Sequence, residues 1–488
     1  METSSFMLLR VVAGKAQFAV LATFLAFMIT AASAQTATPA IDQYVQSELA
    51  KQHIPGLALG IYREGRIVKA QGYGLSNVEL NVPVQPETIF QSGSVGKQFT
   101  ATAIMMLVEE GKLSLDDPIT KYFPDAPAFW QNIKIKNLLS HTSGLSEYES
   151  DDKTKPGGPI NLRADYTEDS LVKIIETFPM EFQPDDRWAY RNTNYVLLGV
   201  IIHKVTGKFY GDFLQERIFR PLGMSSTRII SEADIIPNRS AGYRLVKGEL
   251  KNQEWVSPFF NTTADGALYF DVLDLAKWDG ALYTEKLLKK SSLDLMWRPF
   301  KLNDGKANSD NYGFAWFIDR INGHRVIQHA GAWQGFTTYI ARYVDDKLTV
   351  VVLTNLDSVH SNPGKIAHHV AGLVNPQLMP PELKPMEDKE PQVTALLRSL
   401  LERLAAGKAD PEDFTPEYRK HLFPSGAEEA KEELQALGPL QSLELVERRT
   451  EGDQRRYTYR GTFRENKVLI NLSLDGQGKI AGLRLSEE

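Results

Sequence analysis

The stretch FQSGSVGKQFTATAIMMLVEEG, Phe90 to Gly111, decides how the rest of the chain is read. Its second half is rich in helix formers and ends on a glycine where a C′ residue belongs, so a helix is expected from Ser94 onward. On such a helix Ser94 and Lys97, three residues apart, share one face. A serine hydroxyl is a weak nucleophile until a base takes its proton, and a lysine amine serves only when burial or nearby positive dipoles and charges lower its pKa. The helix N-terminus beside Ser94 supplies such dipoles. Ser92 is the competing serine. Glycine at 92 would have framed Ser94 in a Gly-x-Ser-x-Gly elbow, but the residues run Ser92-Gly93-Ser94-Val95-Gly96 and that frame fails. Ser-x-x-Lys by itself recurs by chance and needs support from elsewhere in the chain.

Two further segments supply it. WAYRNTNYVLLGVII, from Trp188, sets Tyr190 and Asn192 just ahead of an apolar helical run. A phenol close to a lysine ammonium gains a stabilised phenolate, so Lys97 and Tyr190 can share a proton as general base and then general acid. Asn192 can hydrogen-bond the lysine or a substrate amide, although Tyr-x-Asn is also a common capping and packing pattern. In VIQHAGAWQGFTTYIARY, His329-Ala330-Gly331 precedes a hairpin, so Gly331 and Ala332 are expected at the start of a strand. Backbone N–H groups there can donate to a developing oxyanion, and glycine lets a substrate approach the backbone closely. A lone histidine in such a place reads as readily as a polar residue at a strand start.

These three elements, in this order, resemble the serine hydrolases of the penicillin-binding and class C β-lactamase superfamily, a group that includes D-aminopeptidases and β-lactamase-like esterases. LVEEGKLSLDDPI after the first element, NLLSHTSGL at Asn137–Leu145 and RPLGM at Arg220–Met224 also look like the family, and the resemblance covers roughly residues 40 to 372. It implies a β-lactamase/transpeptidase-like α/β (α+β) fold, an antiparallel sheet flanked by helices with an all-helical subdomain. It also implies Ser94 as acylated nucleophile, Lys97 and Tyr190 as the proton-handling pair, Asn192 as a polar ligand, and an oxyanion hole from the N–H groups of Ser94 and Ala332. Which of Lys97 and Tyr190 is the acylation base stays open.

One departure bears on substrate. Where the family's β-lactamases and DD-peptidases usually begin the third motif with a lysine that helps hold the substrate carboxylate, this chain has His329, mostly neutral at pH 7 unless its pKa is raised. An ester, amide or D-amino-acid peptide is therefore the expected substrate, with β-lactam turnover weak or absent. Penicillin-binding, DD-peptidase or β-lactamase activity proper, and a non-catalytic sensor of cell-wall peptides, are the alternatives. Arg191 stands where a small residue is more usual, and either points away from the site or replaces the missing cation. His141, inside NLLSHTSGL, reads as structural.

The whole chain is consistent with this. Of 488 residues, 42% are hydrophobic and 24% charged, an ordinary globular composition, and the net charge of −6 argues against nucleic acid or an anionic membrane as main partner. Arg10 and Lys15 precede the apolar run Phe18–Ala32, and Ala32-Ser33-Ala34 has the small-x-small pattern of a signal-peptidase site. Residues 1–34 are thus expected to be a cleaved export signal that leaves no stable membrane span, giving a periplasmic or secreted bacterial protein. The absence of cysteine excludes disulfides, a lipidated cysteine anchor, a cysteine nucleophile and thiolate metal sites. His368 and His369 are adjacent, poor geometry for one metal on a helix, and no HExxH motif occurs, so neither metal nor cofactor is expected.

LALGIYREGRIVKAQGYG near the start and FTTYIARYVDDKLTVVVLTN, Phe336–Asn355, both read as β-hairpins, turning at Glu64-Gly65 and Asp345-Asp346. Strands at both ends with helices between imply one domain over residues 35–375 whose sheet the far end completes. Prolines at 376, 380, 381, 385 and 391 mark a stiff linker over 376–391. Residues 392–488 read as a small α+β module, with Val393, Leu396, Leu397, Leu400, Leu401 and Leu404 on a helix stripe and Val468, Ile470, Leu472 and Leu474 alternating on a strand.

Overall fold

The structure is a computed structural model that describes residues 39–149, 160–357, 361–423, 425–451, 454–464 and 466–487. The export signal expected at residues 1–34 lies outside them. The chain divides into two compact units between Pro380 and Pro381.

The first unit is built on a seven-stranded antiparallel sheet. Its strands are β1 (Gly56–Arg63), β2 (Arg66–Asn77), β3 (Val82–Pro83), β4 (Phe317–Ile321), β5 (His324–Trp333), β6 (Phe336–Tyr343) and β7 (Leu348–Thr354). They lie in the order β3-β2-β1-β7-β6-β5-β4, so a strand from the start of the chain pairs with one laid down some 290 residues later, Leu57 opposite Thr354 and Arg63 opposite Leu348. Both faces of the centre are covered, and the two inner strands read as nearly continuous apolar runs for that reason. Strand alternation sorts their side chains. Leu57, Leu59, Ile61, Val350 and Val352 face helix α1 (residues 39–51) and a later helix, Pro363–Val374, which bring Ile41, Val45, Ile366 and Val370. Ala58, Tyr62, Val351 and Leu353 face the larger helical layer. Each Val, Leu or Ile fully buried this way contributes about 1.5–3 kcal/mol.

That layer holds helix α2 (Lys97–Glu109), buried along almost its whole length, and helix α3 (Asn192–Thr206), closed by Gly207. Phe99 of α2 packs on Trp278, with ring centroids 4.3 Å apart. The expected helix from Ser94 begins differently: Gly93–Gly96 form a 3₁₀ turn and the α-helix proper starts at Lys97. Three residues per 3₁₀ turn eclipse positions i and i+3, which places Ser94 and Lys97 on one line more strictly than an α-helix would.

The third motif is corrected. Gly331 and Ala332, expected at the start of a strand, lie near the end of β5, which already runs from His324 and pairs with β4 on one side and β6 on the other. The β5–β6 turn is Gln334-Gly335, with φ of +46° and +80°. A tight turn with both central residues in the left-handed region matches the strand twist, but glutamine in its first position is no usual turn signal.

The second unit, from Pro381, is a four-stranded antiparallel meander of β8 (Leu440–Glu451), β9 (Gln454–Phe463), β10 (Asn466–Leu474) and β11 (Ile480–Glu487). Helix α4 (Pro391–Ala405) supplies Val393, Leu397, Leu400, Leu401 and Leu404 to its core, where they meet Tyr457, Tyr459, Ile470 and Leu472.

Candidate active site

Three backbone segments converge on Ser94: the 3₁₀ turn that carries it, the loop of residues 263–267, and the end of β5. They approach too closely for side chains. A Cβ on Gly93, whose φ is +48°, would meet the Ala332 nitrogen at 2.3 Å, and one on Gly331 would meet the Ser92 carbonyl at 2.2 Å and the Ser94 nitrogen at 2.9 Å. The amides of Ser94 and Ala332 therefore sit on adjoining strips of backbone. Both residues line one cleft, together with Gly93, Glu149, Asn192 and Asp265.

Ser92 is spent on structure. Its hydroxyl donates to the Gly266 carbonyl at 2.7 Å and accepts from the Leu268 N–H at 3.2 Å, while its carbonyl accepts from Thr338 Oγ1 at 2.6 Å. Ser94 is the serine with a side-chain partner suited to proton transfer. Lys97 Nζ, fully buried at the start of α2, lies 2.8 Å from Ser94 Oγ, 2.7 Å from Asn192 Oδ1 and 2.5 Å from the Asp265 carbonyl. The amide oxygen and the carbonyl can only accept. Ser94 Oγ is the one partner able to donate as well, so the geometry suits either an ammonium with three acceptors or an amine with two acceptors and the serine proton.

Tyr190 stands beside this pair, its ring centroid 5.0 Å from Lys97 Nζ. Among the described residues its buried hydroxyl makes no hydrogen bond of normal geometry. Burial holds the phenol above its usual pKa, and the nearby Lys97 and Ser94 offset this only in part. The segment 181–191 that carries it is pinned to NLLSHTSGL: Glu181 N–H to the Gly144 carbonyl, Asp185 N–H to that of Thr142 and Ala189 N–H to that of His141, at 2.8–3.0 Å. His141 Nδ1 accepts from the Arg191 N–H and from Asn194 Nδ2, and its ring packs on Tyr190 at 4.2 Å. Burial keeps that imidazole well below its ordinary pKa, hence neutral.

His329 does not line the cleft. Its Nδ1 donates to the Ala330 carbonyl at 2.6 Å, which leaves Nε2 to accept from the Tyr312 hydroxyl at 3.0 Å, and burial pulls its pKa down to about 3. It is a neutral ring with both nitrogens engaged, and Gly331 likewise stays out of the cleft lining. Arg191 points to Glu181, its Nε and Nη2 on the two carboxylate oxygens. That pairing leaves it no freedom to stand in for the family's lysine.

Sequence reading missed three acids. Glu147 accepts the main-chain N–H of Asn192 at 2.7 Å, Glu149 accepts from Asn192 Nδ2 at 3.1 Å, and Asp265 lines the cleft while its carbonyl holds Lys97. Glu-Tyr-Glu directly after NLLSHTSGL was the available signal. Asp265 had none, since its contribution to the lysine is a backbone carbonyl, which every residue type carries.

A buried lysine hydrogen-bonded to a serine at the head of a buried helix, with a tyrosine beside both and the last strands of an antiparallel sheet closing the cleft, is the arrangement of active-site-serine hydrolases. The chain belongs to the Beta-lactamase family, which its residues 41–373 match, within the superfamily of penicillin-binding and β-lactamase-related serine hydrolases. It is 30% identical over 308 residues to penicillin-binding protein 4* of Bacillus subtilis (strain 168), a match spanning 60% of this chain and 66% of that protein. Among solved structures, the octameric penicillin-binding protein homologue from Pyrococcus abyssi is similar over 92% of this chain and 98% of that one, at 25% identity and a TM-score of 0.61. A D-stereospecific amidohydrolase from Streptomyces sp. is similar over 65% of this chain and 94% of its own, at 26% identity and a TM-score of 0.54.

Proposed function

We propose that the protein is an exported serine hydrolase that works through an acyl-enzyme on Ser94, with an ester, an amide or a D-amino-acid peptide as substrate. The observation that carries this is the 2.8 Å contact between Lys97 Nζ and Ser94 Oγ, with the lysine's other two partners restricted to accepting. Lys97, as the amine, takes the Ser94 proton while Oγ attacks the substrate carbonyl. The oxyanion develops toward the amides of Ser94 and Ala332. The Tyr190 phenol, kept protonated by burial, is the acid within reach of the departing amine or alkoxide, and it recovers its proton from the Lys97 ammonium. Water then hydrolyses the ester of Ser94, its proton passing to the same pair and from it to the departing Ser94 Oγ, which restores the serine hydroxyl.

Among the described residues, a neutral, internally bonded His329 and an Arg191 committed to Glu181 leave no cation at the place where the family's β-lactamases hold a carboxylate, which supports weak or absent β-lactam turnover. The likeness to a D-stereospecific amidohydrolase supports amides of D-amino acids as the first substrates to try. Among the described residues no helix is long and apolar enough to cross a membrane, and export rests on the pattern of residues 1–34.

The test is labelling with a fluorophosphonate read by mass spectrometry in wild type and Ser94→Ala, followed by p-nitrophenyl esters, D-amino-acid amides, a D-Ala-D-Ala peptide and nitrocefin. One adduct on wild type and none on the variant is expected. Equal labelling of both, or none on wild type, sinks the reading.

A further inference from the structure

The Tyr148 hydroxyl lies 2.9 Å from Glu149 Oε1 and 3.1 Å from Asp265 Oδ2, with Tyr148 and Asp265 buried and Glu149 half-buried at the cleft wall. A phenol has one hydrogen and can serve only one of two carboxylates. The second contact is attractive only if one carboxyl brings a hydrogen of its own. Glu149 is the better carrier: its Oε2 already accepts from Asn192 Nδ2, as the carbonyl oxygen of an acid does, and its Oε1 then donates to Tyr148, which donates on to Asp265. A continuous chain results, from Ser94 through Lys97, Asn192, Glu149 and Tyr148 to Asp265, whose own carbonyl returns to Lys97.

We propose that Glu149 acts as a neutral carboxylic acid that holds the Asn192 amide with its oxygen toward Lys97, making it a positioning residue for the lysine that activates Ser94. This rests on the Ser94 reading above. Were the Asn192 amide to turn over, its NH₂ would face Lys97 and the lysine would lose one of its two accept-only partners. The groups that face Glu149 agree with a proton there. Glu147 and Tyr148 come from its own segment, Asp265 from the 263–267 loop, Lys97 from α2, and Asn192 from α3, with Arg191 next to it committed to Glu181. Three carboxyls thus share one wall of the site with Lys97. Burial and the charges of Asp265 and Glu147 raise Glu149 to about 8.

Glu149→Gln keeps the shape, offering an N–H to Tyr148 and a carbonyl to Asn192; Glu149→Ala removes both. Fluorophosphonate labelling rates across pH 6–10 are expected to be near wild type for E149Q at pH 7 and about 10²-fold lower for E149A, with E149A still folded by its melting transition. The fall in wild-type rate through about pH 8 is expected to be absent from E149Q. An infrared difference spectrum of wild type minus E149Q at pH 7 reads the acid directly and does not depend on activity, so it separates a failure here from a failure of the Ser94 reading. A carboxylic-acid carbonyl band is expected. Only carboxylate bands there, an unchanged alkaline limb in E149Q, E149Q as slow as E149A, or an E149Q loss confined to substrates with a free amine would each overturn the proposal.

Discussion

Replacing Gly331 by alanine tests whether the end of β5 and the turn that carries Ser94 work as one rigid site. The added Cβ would sit 2.2 Å from the Ser92 carbonyl oxygen, 2.5 Å from Thr338 Oγ1 and 2.9 Å from the Ser94 nitrogen. Ordinary contact begins near 3.4 Å, so strand and turn must part by about 1.2 Å, and two of the three obstacles are backbone atoms that cannot swing aside. A displacement of about 1 Å at a reacting centre costs about 10²-fold in rate, while overpacking of this kind costs about 1–3 kcal/mol of stability. G331A is therefore expected to remain folded with a lower melting temperature and to react with fluorophosphonate about 10²-fold more slowly. Gly111→Ala is the control. Gly111 has φ +68° and nothing within 4 Å of its Cβ position, so G111A strains the backbone by about 1 kcal/mol or more and leaves labelling unchanged. A folded G331A that labels within about twofold of wild type would refute the claim that these backbones are in register with the chemistry.

Ser92→Ala is expected to keep the Ser94 adduct and to lose about 1–3 kcal/mol in urea unfolding, because the Gly266 carbonyl and the Leu268 N–H lose a buried partner; loss of the adduct with no loss of stability would reverse the assignment of the two serines. Arg342 and Asp279 form an ion pair with neither side chain exposed, and Arg342→Met leaves the aspartate buried without its cation, an expected cost of about 3–5 kcal/mol by chemical denaturation, with a cost under about 1 kcal/mol counting against it. His329 has a folded pKa of about 3 against an ordinary value of 6.5, so the unfolded chain takes up the proton first and stability falls as pH drops from 6.5 toward 3, by up to about 1.4 kcal/mol per pH unit from this group. Unfolding curves at several pH values should show a shallower acid slope in His329→Gln, and identical slopes would place His329 in water or beside an anion.

How much was legible divides along what side chains reveal. The two hairpins, α2 and α3, and the alternation in β10 announce themselves through apolar periodicity and turn residues, because burial on one face selects side chains with that period. The strand carrying His329 was misjudged at its start because HRVIQHAGAW mixes buried glycine, histidine and valine with half-buried residues, and its hydrogen bonds to β4 and β6 belong to the backbone. Ser94, Lys97, Tyr190 and Asn192 could be singled out since each carries its chemistry in the side chain. Asp265, which meets Lys97 through a carbonyl, and Glu149, which meets it through Asn192, could not be paired with it from spacing.

The serine hydrolase family, the candidate nucleophile with its lysine three residues on, and the mixed architecture with a sheet shared by both ends of the first unit were all readable along the chain. These follow from short-range spacing and from residue types whose chemistry is their own. Tertiary contacts alone make Ser92 a strut, give Arg191 to Glu181, leave His329 a dry neutral ring and set a row of acids behind Asn192. Those outcomes depend on which distant groups share a buried volume, and desolvation there sets charge states that no residue carries alone.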